Sequence, residues 1–194
     1  MNKARLEAFS DGVMAIIITI MVLELKVPHG SSWSSLEPLI PVFLSYIISL
    51  MLVGIYWGNH HNLLHAVENV NAKIILSNLH LLFWLSLVPV ATGWMGENHF
   101  APNTIILYAL TLMFFGIAYS ILQNYILKNT KDHSELKLAI QKQNRKVIAS
   151  LLMDILAVPF AFVNPYISGG LFILQSVIWL VPDKNIEKAL SSKF

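Results

Sequence analysis

The composition of this 194-residue chain is that of a protein embedded in a membrane. Hydrophobic residues make up 56% of it and charged residues 12%, against roughly 25% charged in an average soluble domain, and its mean hydropathy is +0.62. The formal net charge of +2 is modest, and the absence of cysteine excludes disulfides, thiolate metal sites and cysteine nucleophiles.

Six apolar segments approach the length of about 20 residues that a helix needs to cross a bilayer. They leave no room for a soluble domain, so we expect an all-α integral membrane protein with a single six-helix domain over residues 1–194. Pro38 and Pro41 open the second segment, where proline is tolerated in a first helical turn. The predicted spans are 8–28, 38–58, 75–96, 103–127, 147–164 and 167–182.

The basic residues orient the predicted bundle. With both termini in the cytoplasm, twelve of the thirteen lysines and arginines fall on the inner side and only Lys26 falls outside. We therefore predict a multi-pass protein of the cell (inner) membrane, with the basic stretch 128–146 as a helical inner loop near anionic lipid. The inner basic residues are Lys3, Arg5, Lys73, Lys128, Lys131, Lys137, Lys142, Arg145, Lys146, Lys184, Lys188 and Lys193.

The first span contains an aspartate, Asp11, where an ionised side chain is costly and needs a partner. Helical periodicity of about 100° per residue separates Ser10 and Asp11 from a nearly aliphatic stripe on another face. Arg5 lies in line with this stripe at its cytoplasmic end. The stripe consists of Phe9, Gly12, Ile16, Ile20, Leu23 and Val27.

The predicted topology gives Asp11 several polar neighbours at the same depth. The second span runs inward and the third begins on the inner side, so the end of one and the start of the other meet there. Such a cluster serves either as hydrogen-bonded glue between helices or in proton sensing and gating, because histidine changes charge near neutral pH. The predicted cluster contains Arg5, Ser10, Asp11, Trp57, His60 or His61, and Asn78.

Residues 5–24 resemble the first-helix motif of bacterial members of the transmembrane protein 175 family. The matching residues run Arg5-x-x-x-Phe9-Ser10-Asp11-Gly12-x-x-Ala15-Ile16-x-x-Thr19, followed by Leu23-Glu24. Trp57-x-x-His60-His61, Asn78-Leu79 and Pro89 are also similar to that family. Its members are potassium channels related to the endosomal and lysosomal potassium channel of animals.

This resemblance implies a homotetrameric potassium channel whose central pore is lined by the first helix of each subunit. It implies a pore constriction at Ile16, Ile20 and Leu23, with Thr19 and Gly12 as pore-lining or ion-coordinating positions. Phe9, Ser10 and Asp11 would pack outside the pore against helices two and three. The chain has no Thr-Val-Gly-Tyr-Gly loop, so a backbone-carbonyl filter has no basis in the sequence.

The expected ligands and partners follow from the same resemblance. We expect permeant potassium ions but no cofactor, and the partners are other copies of the chain, the lipid bilayer and monovalent cations. No nucleic-acid partner is expected, because the basic residues follow one membrane side and form no binding face.

Parts of the sequence are also compatible with functions other than a channel. His61 and His65 lie four residues apart, but the glutamate of a His-Glu-x-x-His zinc motif is missing, so we predict neither a metal site nor an enzyme. A proton-coupled secondary transporter using Asp11, Asp154 and the membrane histidines is the alternative, although no internal repeat accompanies it. A non-conducting membrane scaffold also stays open.

Overall fold

The computed structural model describes residues 2–67, 69–129 and 134–180, and the regular elements in these ranges are all helices. The side chains of Lys137 and Lys142 and the predicted inner residues Lys131, Lys184, Lys188 and Lys193 lie outside this description. The all-α fold class is confirmed. The elements are α1 (Lys3–Leu23), a 3-10 helix (Trp33–Leu39), α2 (Ile40–His65), α3 (Ala72–Ser86), α4 (Val88–Glu97), α5 (Pro102–Asn129), α6 (Ser134–Val163) and α7 (Pro165–Leu180).

Five stretches of the described residues are long and apolar enough to cross a membrane, and α7 is a shorter apolar helix of 16 residues. The protein is therefore a multi-pass membrane protein. Residues 181–182 of the predicted sixth span lie outside the described residues. The five stretches are Lys3–Leu23, Trp33–His65, Ala72–Glu97, Pro102–Asn129 and Gln143–Val163.

The helix ends differ from the predicted spans where local signals decide them. α1 runs from Lys3 to Leu23 and not from 8 to 28, because the Asn2 side chain caps it by accepting a hydrogen bond from the Arg5 backbone nitrogen at 3.0 Å. α2 continues to His65, beyond the predicted end at residue 58. The third span is broken at Leu87, two residues before Pro89 removes a backbone donor.

The inner loop predicted over 128–146 joins the fifth span in one helix. From Ser134 onward it is the first part of α6, which then continues through the membrane-crossing stretch to Val163. Pro159 lies inside this helix without ending it. The apolar stretch Gln143–Val163 therefore begins four residues before the predicted 147–164 segment.

The core of the bundle surrounds α5, which packs against α3, α4 and α6. Large aromatic side chains fill this core: the ring of Phe115 lies 4.1 Å from that of Tyr56, and Tyr108 lies 4.9 Å from Phe172 of α7. α1 contacts α2, α3 and α4, and one of its sides stays exposed. The helix that carries the family-like motif is thus at the edge of the subunit.

The close approach of α4 to α2 requires glycine at position 96. A Cβ atom added to Gly96 would lie 2.6 Å from the Val42 Cα and 3.3 Å from the Pro41 carbonyl oxygen. We expect Gly96→Ala to lower the free energy of unfolding by about 1–3 kcal/mol through overpacking, measured by heat denaturation of the purified protein. Gly54→Ala is the control, since no atom lies within 4 Å of its added Cβ. Equal stability of the two variants would contradict this expectation.

A candidate pore helix and its attachment to the bundle

The two sides of α1 have different surroundings. One side is buried in the subunit and carries Leu6, Ser10, Met14, Ile17 and Met21. The other side is exposed and contains the predicted stripe. Since the structure holds a single copy of the chain, this exposed side is available to lipid, to a pore or to another copy. Its residues are Phe9, Gly12, Ile16, Thr19, Ile20 and Leu23, with Val27 exposed beyond the helix end.

A buried hydrogen-bonded chain joins α1 to α3 and α2. The Asn78 amide nitrogen donates to the Ser10 hydroxyl at 2.9 Å, and Ser10 donates to the Leu6 carbonyl at 2.9 Å. Because the Asn78 amide nitrogen is a donor here, its oxygen accepts from Nε2 of His60 at 2.8 Å. All three side chains are buried. These linked hydrogen bonds fix the rotation of α1 against α2 and α3. Rotating the helix would leave buried polar groups without partners, which costs free energy.

A second polar contact lies next to this chain. The indole nitrogen of Trp57 on α2 donates to the Asp11 carboxylate at 2.9 Å. Asp11 is half-buried and Trp57 is exposed in the single subunit. A hydrogen bond to an ionised acceptor contributes roughly 1.5–3 kcal/mol, more than a neutral one. This contact therefore attaches the back of α1 to α2.

The structure brings most of the predicted cluster together and leaves Arg5 outside it. Arg5 is exposed, and its side chain makes no hydrogen bond or ion pair with the described residues. Lys3, and not Arg5, links the start of α1 to the end of α2, because its ammonium donates to the His65 carbonyl oxygen at 2.7 Å. Asp11 accepts its hydrogen bond from Trp57, and the His61 ring lies tilted with its centroid 6.2 Å from that of Trp57.

The predicted constriction residues follow one another along the exposed side of α1. With a rise of about 1.5 Å per residue, Ile16 and Ile20 are about 6 Å apart along the helix axis, and Leu23 lies about 4.5 Å beyond. The Thr19 hydroxyl donates to the Ile16 carbonyl at 2.8 Å, so its oxygen lone pairs stay free to accept or to coordinate a cation. No atom lies within 4 Å of a Cβ added to Gly12, so the surface is open there.

The segment after α1 is tied to the end of α4. The Lys26 ammonium pairs with the Glu97 carboxylate, and this pairing raises the pKa of Lys26. The Glu24 side chain lies over Gly93 of α4. Glu24, Lys26 and Glu97 also border a cavity of about 330 Å³. This cavity is lined by Glu24, Lys26, Pro38, Leu39, Val42 and Glu97.

Two polar networks inside the bundle were missed in the sequence. Ser49 on α2 bonds Thr92 at 2.7 Å and the Tyr108 hydroxyl at 2.9 Å. In the second network, Gln143 on α6 accepts from Gln123 on α5 and donates to Asn59 on α2 at 3.3 Å. The available signal was polar residues within apolar spans, which pair with one another. Sequence spacing does not say which of them meet.

Comparison with known bacterial proteins gives matches along most of the chain. The family model described as "Endosomal/lysosomal potassium channel TMEM175" matches residues 5–89. A protein of Chryseobacterium sp. (strain P1-3) named as a potassium channel is 54% identical over 190 residues, which are 98% of each chain. A protein of Chamaesiphon minutus, also named as a potassium channel, is 29% identical over 91% of this chain and 92% of its own.

Animal proteins match a shorter part. The human protein named endosomal/lysosomal proton channel TMEM175 is 38% identical over 96 residues, 43% of this chain and 19% of that protein.

Among solved structures, the crystal structure of a lysosomal potassium-selective channel TMEM175 homologue from Chamaesiphon minutus aligns with a TM-score of 0.82 at 27% identity. That alignment covers 93% of this chain and 97% of the other. The similarity thus extends over the fold and includes α1.

Proposed function

This chain belongs to the TMEM175 family of ion channels, and we propose that it is a potassium-permeable cation channel whose pore is lined by α1. One observation carries the proposal: α1 keeps an aliphatic stripe exposed while polar contacts hold its other side on α2 and α3. Such a stripe suits either lipid or the wall of a pore shared between subunits. The relatives named as potassium channels favour the pore.

A pore of this kind needs several copies of the chain, because one α1 does not enclose a path for water. We infer a homotetramer, as the resemblance of residues 5–24 implies. The contacts of Ser10 and Asp11 on the back of α1 then hold its rotation, and the exposed side faces the common axis. In this arrangement Ile16, Ile20 and Leu23 of the four subunits form three successive rings.

Rings of aliphatic side chains gate by losing water. They offer no oxygen to replace the hydration of an ion, so a narrow ring empties and conduction stops. A small outward shift or rotation of α1 is enough to wet the ring. Thr19 lies between the rings of Ile16 and Ile20, where four hydroxyl oxygens offer partial replacement of water. We expect modest selectivity for potassium over sodium, since no carbonyl filter motif is present.

The orientation of the channel follows the basic residues. With both termini in the cytoplasm of a cell (inner) membrane, Lys3, Lys73 and Arg145 lie on the inner side. Ile16 then forms the inner ring and Leu23 the outer ring. Glu24 and the Lys26–Glu97 pair lie near the outer mouth.

Potassium flux in proteoliposomes tests the proposal, with sodium and caesium measured in parallel. We expect passive potassium flux without a proton gradient. Ile16→Asn is expected to raise it about tenfold, equivalent to about 1.4 kcal/mol off the barrier, because an amide ring stays wet. Ile173→Asn on α7 is the matched control, since Ile173 is 47% exposed and Ile16 is 58% exposed in the subunit. We expect it to leave flux unchanged.

Three results would reject the channel lined by α1. Flux that requires a proton gradient would favour the proton-coupled transporter that uses Asp11 and the membrane histidines. Absence of flux, or equal responses to Ile16→Asn and Ile173→Asn, would place Ile16 against lipid and favour a scaffold.

A further inference from the structure

Asp154 is a buried carboxyl group that the proposed pore does not use. It lies on α6 within the membrane-crossing stretch Gln143–Val163, and only 2% of its surface is exposed. Neither of its carboxylate oxygens has a hydrogen-bond partner. Gln175 on α7 is buried to the same extent, and its side-chain oxygen also lacks a partner. Three buried acceptor atoms therefore lie in this region without a donor.

The groups around Asp154 come from each helix packed there. The Gln175 amide faces it from α7. Tyr56 of α2 and Tyr108 of α5 lie close enough for an electrostatic interaction with the Asp154 carboxyl group. On α6 itself, Ser150 is engaged as the acceptor of the Trp179 indole at 2.8 Å. Among the described residues, no lysine, arginine or histidine forms an ion pair with Asp154. Within the described part of the chain, the surroundings are thus polar, and no cation is paired with Asp154.

An ionised aspartate is poorly suited to these surroundings. Removing a carboxylate from water costs several kcal/mol even after the protein relaxes, and a partner cation normally offsets this cost. A neutral carboxyl group avoids most of it and gains a donor O–H. The carboxyl O–H can donate to the Gln175 side-chain oxygen, and the Gln175 amide nitrogen faces the other carboxyl oxygen. The proton thus provides the donor that the two Asp154 oxygens and the Gln175 oxygen lack.

A bound monovalent metal cation fits the region less well than a proton. A cation that has lost its water needs several oxygen ligands at once. The Tyr108 hydroxyl is already bonded to Ser49, and Ser49 is bonded to Thr92. Asp154 and Gln175 therefore offer too few free oxygens for a metal ion, whereas one O–H is enough for them.

We propose that Asp154 is a proton-binding site inside each subunit, separate from α1. In the packed bundle Asp154 keeps its proton and shares it with Gln175 through a hydrogen bond. Loss of the proton places a charge between α6 and α7, beside Tyr56. Tyr56 directly precedes Trp57, the residue that bonds Asp11 on α1. Tyr56 thus links the neighbourhood of Asp154, through the backbone of α2, to the residue that attaches the proposed pore helix.

Infrared spectroscopy of the purified full-length protein tests this site without any measurement of flux, so its outcome is independent of the proposed channel function. We expect a C=O band of a protonated carboxyl group at neutral pH, lost in Asp154→Asn and retained in Glu37→Gln, a control at an exposed residue. Carbon-13 labelling of aspartate should shift the band and labelling of glutamate should not. If Asp154→Asn does not fold, the labels still assign the band to one of the four aspartates of the chain.

Heat denaturation across pH gives a second readout. The folded state holds one more proton than the unfolded state, so stability falls as pH rises, by up to about tenfold in the folding constant per pH unit. Asp154→Asn should remove this loss of stability with rising pH, which begins above the unfolded aspartate pKa of about 3.9, and Glu37→Gln should keep it. Absence of an aspartate band would overturn the proposal. So would an Asp154-dependent rise in stability with added potassium or sodium at constant pH, which would indicate a metal-cation site.

Discussion

Potassium flux through a Leu23→Cys variant is expected to fall to the background of empty liposomes when a membrane-impermeant thiol reagent is added. Leu23 ends α1 and is 79% exposed in the single subunit. In the proposed assembly it forms the outermost ring, so a charged adduct on each of four subunits fills the entrance. The chain contains no cysteine, so the reagent acts on this position alone. The untreated variant should conduct.

The control for this block is Tyr166→Cys, at the turn between α6 and α7. Tyr166 is as exposed as Leu23 and lies on the same predicted side of the membrane, so it should react without loss of flux. Mild oxidation should join two Leu23→Cys chains covalently and should leave Tyr166→Cys chains separate. Labelling of Leu23→Cys that leaves flux intact, with no covalent dimer, would place the α1 stripe against lipid.

The division of α1 into two sides could be predicted because helical periodicity and membrane physics act together. Ser10 and Asp11 are costly in lipid, so their side had to face other helices. The structure does bury Ser10 and exposes Ile16 and Leu23. One subunit does not decide whether that exposed side meets lipid or a pore, because both are compatible with an apolar surface.

The partners of the polar side chains could be predicted only to the level of depth. Several donors stood at the level of Asp11, and the choice of Trp57 depends on the rotation of α2, which sequence spacing does not set. The same limit applied to Lys26, which pairs with Glu97 across 71 positions of the chain. Contacts within one helix follow from periodicity, whereas contacts between helices depend on how the side chains interlock.

The hydrogen bond between Trp57 and Asp11 is the basis of the last prediction. We expect Trp57→Phe to lower the free energy of unfolding by roughly 1.5–3 kcal/mol, since the ring is kept while the carboxylate loses its donor. Potassium flux should change by at least about tenfold, because a change of 1.4 kcal/mol in the free energy that holds α1 in place corresponds to a tenfold change in its populations. Heat denaturation and liposome flux of the same preparations measure the two effects.

A double-mutant cycle separates this bond from the loss of an indole in general. In an Asp11→Ala background, Trp57→Phe should cost little, because no acceptor remains for the indole to lose. Trp94→Phe on α4 is the matched control: Trp94 is 42% exposed and Trp57 is 46% exposed, but the Trp94 indole makes no hydrogen bond within the described residues. If Trp57→Phe costs the same with and without Asp11, the bond does not hold α1 on α2. The rotation of the helix would then depend on the buried chain of Ser10, Asn78 and His60.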